Sequence, residues 1–269
     1  MTEHLFFEAC KKGDINQIKE SLLNISNVNM TDDEGWTPLH YAAEHGHNDI
    51  ITLLIEHGAD VNLANPSGYS PYYIIMMCEH YNADIINSLY KAGASLGSEL
   101  HVAILLNNEK EINKLISQMK YINSVDELGN TPLHIAVAIN RNDLIIPLVT
   151  AGARVNKGDV FSTTPLHECS ANGSLESLKI LLSLGADPNM KDYNGRNSLI
   201  FAAGNGRTDV VKYLLNFGIE IDSQDNFGNT ALHYAYENEE YLIVKILLDK
   251  NASTDIINKD GKIPSELTP

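Results

Sequence analysis

Between Thr37 and Asp60 the apolar residues fall on two short stripes. Leu39, Ala42 and Ala43 recur at three- and four-residue spacing, Gly46 interrupts, and Ile50, Ile51, Leu53 and Leu54 form a second apolar face. That spacing predicts two short helices, each with one buried face, joined by a tight turn. The small Ala42-Ala43 pair lets helices approach closely. Ala202-Ala203 followed by Val210-Val211 and Leu214-Leu215 repeats the pattern far down the chain. Ala9-Cys10 continues it 33 residues upstream of Ala42-Ala43, so Leu5 to Asn29 forms a first unit whose polar Lys11, Lys12 and Asp14 suit an end cap.

The period is 33 residues, because His134 and His167 are one step apart and His233 lies two further on. With His40 they close the motifs Thr37-Pro38-Leu39-His40, Thr131-Pro132-Leu133-His134, Thr164-Pro165-Leu166-His167 and Thr230-Ala231-Leu232-His233. Threonine can accept a backbone N–H at a helix start, and proline fits the first helical position, where its missing donor costs nothing. Gly58, Gly93, Gly152, Gly185 and Gly218 close the units, where the chain leaves a helix in a left-handed conformation. Asn251, in their register, tolerates the same geometry. These motifs resemble ankyrin repeats. The resemblance implies an all-α fold, an ankyrin-repeat solenoid of about eight stacked helix-turn-helix units with short β-hairpin fingers.

As a single domain over residues 1–269, the chain divides by register into an N-terminal capping repeat (1–31), repeats two and three (32–96), a degenerate repeat four (97–124), repeats five to eight (125–257) and a partial C-terminal cap (258–269). The turn Glu79-His80-Tyr81-Asn82-Ala83 carries two extra residues. The connection from Gly93 to His101 is seven residues short, so a finger is largely absent there. Repeat four has Ser98-Glu99 in place of Thr-Pro and Met119 in place of the closing glycine, which predicts distorted stacking. Repeat seven reads Asn197-Ser198-Leu199-Ile200, with cap and histidine lost. A weak repeat is a potential breathing point, and the junction of repeats three and four is the candidate.

Charge narrows the partners. Nineteen basic residues against 35 acidic ones leave a formal charge of -16, which repels polyanions, so no nucleic acid is expected. Met1 to Gly13 lacks the basic start and long apolar stretch of a secretory signal, and no segment approaches the length of a membrane span, so no membrane insertion is expected. Cys10, Cys78 and Cys169 lie far apart, in keeping with reduced thiols in the cytoplasm.

The resemblance implies that partners bind a concave groove lined by the first helices and the finger tips. In the N-terminal half this register selects Tyr41, Glu44 and His45 beside Trp36, the only tryptophan. Repeats three to five supply Ile74, Met77, Val102, Leu105, Leu106, Ile135 and Ile139, an apolar set that predicts a hydrophobic patch. The finger tips add Tyr69 and Phe161, aromatic anchors on preorganised turns. Repeats six to eight offer a polar groove.

Catalytic chemistry finds no footing. His40 to His47 matches no zinc-ligand spacing, His167 and Cys169 point to different helix faces, and Gly204-Asn205-Gly206 follows a helix instead of a strand. No catalytic residue, metal or cofactor is expected. The expectation is a non-catalytic protein–protein interaction module, an adaptor or inhibitor. Its partner would be another protein, basic or bearing an apolar anchor, bound by a monomeric, cytoplasmic chain. Alternatives are a host-directed effector of an intracellular bacterium or virus, acting in the host cytosol, and the targeting domain of a longer enzyme. Asn29, Asn62, Asn156 and Asn189 occupy a position that asparaginyl hydroxylases modify in ankyrin proteins, beside the simpler reading of a structural turn residue.

Overall fold

The computed structural model describes residues 2–78 and 82–267, which form sixteen α-helices in consecutive pairs. Its contacts divide the chain into two compact units, residues 1–97 with 105–109 and residues 98–104 with 110–269. The first unit holds α1 (Thr2–Lys12), α2 (Ile15–Leu22), α3 (Pro38–Glu44), α4 (Asn48–Glu56), α5 (Pro71–Met77) and α6 (Ala83–Lys91). The second is built on α7 (Glu99–Leu105), α8 (Glu109–Ser117), α9 (Pro132–Ala138), α10 (Asn142–Thr150), α11 (Pro165–Asn172), α12 (Leu175–Ser183), α13 (Ser198–Gly204), α14 (Thr208–Phe217), α15 (Ala231–Glu237) and α16 (Tyr241–Asp249), and closes on a 3-10 turn at Pro264–Leu267. The enlarged turn expected in repeat three lies mostly outside the described residues.

Within each unit, first helices stack on first helices and second on second. In the first unit α1 packs on α3 and α3 on α5, while α2 packs on α4 and α4 on α6. The α9, α11, α13, α15 row and the α10, α12, α14, α16 row repeat this in the second. The motif leucines Leu39, Leu100, Leu133, Leu166, Leu199 and Leu232 are all enclosed, each contributing about 1.5–3 kcal/mol through burial.

The motif histidines tie each first helix to the next finger. The Thr37 N–H donates to His40 Nδ1 at 3.1 Å, and Nε2 lies 3.0 Å from the Tyr69 carbonyl. A backbone N–H can only donate and a carbonyl can only accept, so the ring is the neutral tautomer with its hydrogen on Nε2. His101, His134 and His233 repeat the arrangement, with Nε2 against the carbonyls of Asn130, Thr163 and Lys262, whereas His167 Nε2 meets the Met190 carbonyl just ahead of the finger. In repeat four Ser98 replaces threonine and still places its N–H 3.1 Å from His101, so the distortion expected there does not reach this network. Met119 itself takes the left-handed conformation at φ 52°, and Asn251 does so at φ 63°. Repeat seven keeps its cap, contrary to the sequence expectation, because Asn197 Oδ1 accepts from the Ile200 N–H at 3.0 Å.

The fingers depart from the expected β-hairpins: no strand occurs among the described residues. Each finger is a turn closed by one backbone rung, as between the Asp32 N–H and the Trp36 carbonyl, and braced by an aspartate or asparagine. Asp32 Oδ1 accepts from the N–H groups of Glu34 and Trp36 at 3.0 and 2.9 Å. Asn65 and Asn258 make the same two bonds in their own fingers. In the second unit successive tips are also joined, Val160 N–H to the Leu128 carbonyl and Tyr193 N–H to the Phe161 carbonyl. Gly129 permits this approach, since at φ +79° a Cβ there would stand 2.9 Å from the Val160 nitrogen.

The asparagines considered as modification targets bridge neighbouring units. Asn29 donates to the Gly58 carbonyl and accepts from Asp60 N–H, and Asn62 and Asn156 repeat the pair of bonds. Asn189 accepts from the Glu220 N–H. Their geometry fits the structural turn residue.

Candidate interaction surface

In the first unit α1, α3, α5 and two fingers bring an aromatic strip together. Trp36 ends its finger directly before the cap of α3, and its half-buried ring stacks on Tyr41 at 5.1 Å with 29° between planes. Phe7 meets Tyr41 edge-on at 6.0 Å, and the Lys11 ammonium sits 4.2 Å above the Tyr41 ring. On the next finger Tyr69 lies against Tyr73 at 4.4 Å, and the His40 bond to the Tyr69 carbonyl ties that finger to α3. Trp36, Tyr69 and Tyr73 keep part of their surface free.

The strip is set in acid. The Tyr41 hydroxyl donates to Asp32 Oδ2 at 2.5 Å. Burial opposes ionisation of Asp32, but that hydroxyl and the Trp36 and Glu34 N–H groups outweigh it and hold the carboxyl below its ordinary value. Burial, the same bond and the charges of Asp32, Glu34 and Glu44 drive the Tyr41 phenol far up, so it stays a donor. Lys11, Lys12, Lys19 and Lys91 are the only basic residues of this unit, against fourteen Asp and Glu. At the end of α3, His45 Nδ1 lies 3.0 Å from the Tyr41 carbonyl and 3.6 Å from Glu44, and both side chains remain accessible.

The structure corrects several sequence expectations. Tyr41 is only 7% exposed: Trp36 covers one side of it and Lys11 and Phe7 the others, so it supports the strip from beneath. Of the apolar set expected to be open, Ile74 is 4%, Leu105 0% and Ile135 2% exposed. First helices pack closely enough to cover Ile74 and Ile135, α5 on α3 and α9 on α11. Val102, Leu106 and Ile139 are half-buried, and the Met77 side chain lies outside those described. Phe161 is exposed on the second unit with Val160, Tyr193 and Phe227 along the joined finger tips.

Phe7, Lys11, Asp32 and Tyr73 escaped the sequence reading. Tyr73 had a signal, since it stands where the repeat places its histidine. Phe7 and Lys11 had none, because they reach the site from the preceding repeat.

The second unit carries acid-braced groups of a different kind. Arg196 pairs with Asp192 at 2.7 Å and lies 4.4 Å from the Phe201 ring, and the Tyr234 hydroxyl donates to Asp225 at 2.6 Å. Arg196 and Tyr234 are thus engaged internally. Burial raises the Cys169 thiol and lowers His167, so neither takes the charged form that a thiolate–imidazolium pair requires. Burial likewise pushes Cys10 up to about 12. Among the described residues no group of three His, Cys, Asp or Glu could hold a metal ion.

A family model described as ankyrin repeats, in three copies, matches residues 6–99, 100–192 and 184–260. The 2-5A-dependent ribonuclease of Homo sapiens is 38% identical over 72 residues, which are 26% of this chain. The chain spans 10% of that protein's length. The Notch-regulated ankyrin repeat-containing protein of Homo sapiens is 35% identical over 83 residues, 29% of this chain and 73% of that one. An ankyrin repeat protein of Fowlpox virus (strain NVSL) is 30% identical over 125 residues, 38% of this chain and 86% of that one.

Proposed function

The chain belongs to the ankyrin-repeat family, and from that premise we propose that it is a non-catalytic adaptor or inhibitor that docks a basic partner protein on the strip from Trp36 to Tyr69. The observation that carries this reading is the strip itself, aromatic rings fixed by His40 and Asp32 on a unit with fourteen acidic and four basic residues. Rigid, partly exposed aromatics lose little entropy on binding, and an acidic surround speeds encounter with a cationic partner. The raised thiols and neutral, buried histidines support the absence of catalysis. No described helix is long and apolar enough to cross a membrane, and the reading puts the chain in the cytoplasm as a monomer.

A host-directed viral interaction protein is the second reading, favoured by the similarity to the Fowlpox virus protein across 86% of its length.

The first reading is tested by recovering partners from lysate with the intact chain and with a Trp36→Ser, Tyr69→Ser variant, after matched thermal melts. The expected result is a partner held by the intact chain, weakened at least tenfold in the variant and released as salt rises. Equal recovery by both would refute the strip as the docking site.

A further inference from the structure

Lys11 is the one cation on the strip, and it occupies a site that suits a partner's cation. Its ammonium stands 4.2 Å over the Tyr41 ring. A phenol that donates its hydrogen to a carboxylate gains electron density, so the bond from Tyr41 to Asp32 makes this ring face a better cation receptor. Asp32, Glu34 and Glu44 all act electrostatically on Tyr41. Lys11 is held loosely, 3.7 Å from Glu8, whereas Lys12 binds the same carboxylate at 3.1 Å.

Resting on the docking reading above, we propose that the Tyr41 face, walled by Trp36 and Asp32, receives a lysine side chain of the basic partner, and that Lys11 is its internal stand-in. Binding displaces Lys11 towards Glu8 and opens the ring that Lys11 covers. The charge of the unit selects a cation, and the single ring face with one flanking carboxylate fits the compact ammonium of lysine. Lys11 therefore weakens partner binding by competing for the ring, beyond the repulsion that any cation near the surface exerts on a basic partner.

The test titrates the full chain with a decapeptide bearing four lysines and follows the fluorescence of Trp36, the only tryptophan. A saturable change is expected, absent with a glutamine version of the peptide. Lys11→Met should tighten binding about threefold, the scale of an exposed cation–π contact. Lys12→Met removes the same charge one residue away without touching the ring, and should change the affinity by less than half as much. Asp32→Asn should weaken binding and keep the finger braced, as Asn65 and Asn258 brace theirs with the same pair of bonds, while losing the charged bond to Tyr41.

Weaker binding by Lys11→Met, equal effects of Lys11→Met and Lys12→Met, or tighter binding of an arginine peptide would each overturn the assignment. A partner lost by Trp36→Ser, Tyr69→Ser yet held unchanged by Lys11→Met and Asp32→Asn would also overturn it, with the docking surface left standing. Unchanged recovery by all the variants would refute the surface itself.

Discussion

Lowering the pH from 7 to 5 should cost the second unit about 2 kcal/mol at His134 alone, because burial pulls this ring down to about 4 from its ordinary value. The sign follows from proton uptake. The unfolded chain binds a proton near 6.5 and the folded ring does not, so the contribution is whole above that value, falls as pH drops through it and levels off near 4. The geometry explains the resistance: a proton on Nδ1 would face the Thr131 N–H, 3.1 Å away, instead of accepting from it. Burial lowers His101, His167 and His233 as well, which adds in the same direction. Thermal melts at pH 7 and pH 5 should therefore separate clearly, and a His134→Gln variant should start less stable at pH 7 but lose less on acidification. Coincident melts at the two pH values would contradict the neutral, ε-protonated histidines.

Leu199→Ala should destabilise the second unit by about 3–5 kcal/mol, as much as Leu133→Ala in a repeat with the whole motif. Both leucines are 0% exposed, and α13 packs on α11 and α15 as α11 does on its own neighbours. Repeat seven has lost threonine and histidine, yet the removed leucine leaves the same kind of cavity. Chemical denaturation of the two variants checks this, and a loss under 1.5 kcal/mol for Leu199→Ala would mean that repeat seven is loosely packed. The expectation concerns burial alone, since the Asn197 amide nitrogen and the Ser198 hydroxyl are enclosed without a partner where the motif is altered.

That contrast marks what was legible in the sequence. Apolar spacing and the 33-residue register are properties of each repeat by itself, and they placed the helices and the enclosed leucines. The motif survived changes of letter, because the Ser98 hydroxyl meets the His101 ring as threonine meets its histidine elsewhere and Asn197 caps its helix. Exposure was harder, since it depends on the neighbour. The register that puts Tyr41 on the groove does not see Phe7 and Lys11 arriving from α1, and that which lists Ile74 and Ile135 as open does not see the adjoining first helices cover them. Trp36 and Tyr69 were legible as finger residues because a finger tip has fewer neighbours.

The central claim, that a partner docks on the aromatic strip of the first unit, is tested most directly by photo-cross-linking. A benzophenone amino acid is placed at position 36 in one chain and at position 193 in another, the latter being Tyr193, 76% exposed on a finger tip of the second unit. On irradiation in lysate a discrete adduct should form from position 36 and fade as salt is raised. An adduct from position 193 alone would contradict the claim and move the docking surface to the finger tips of the second unit.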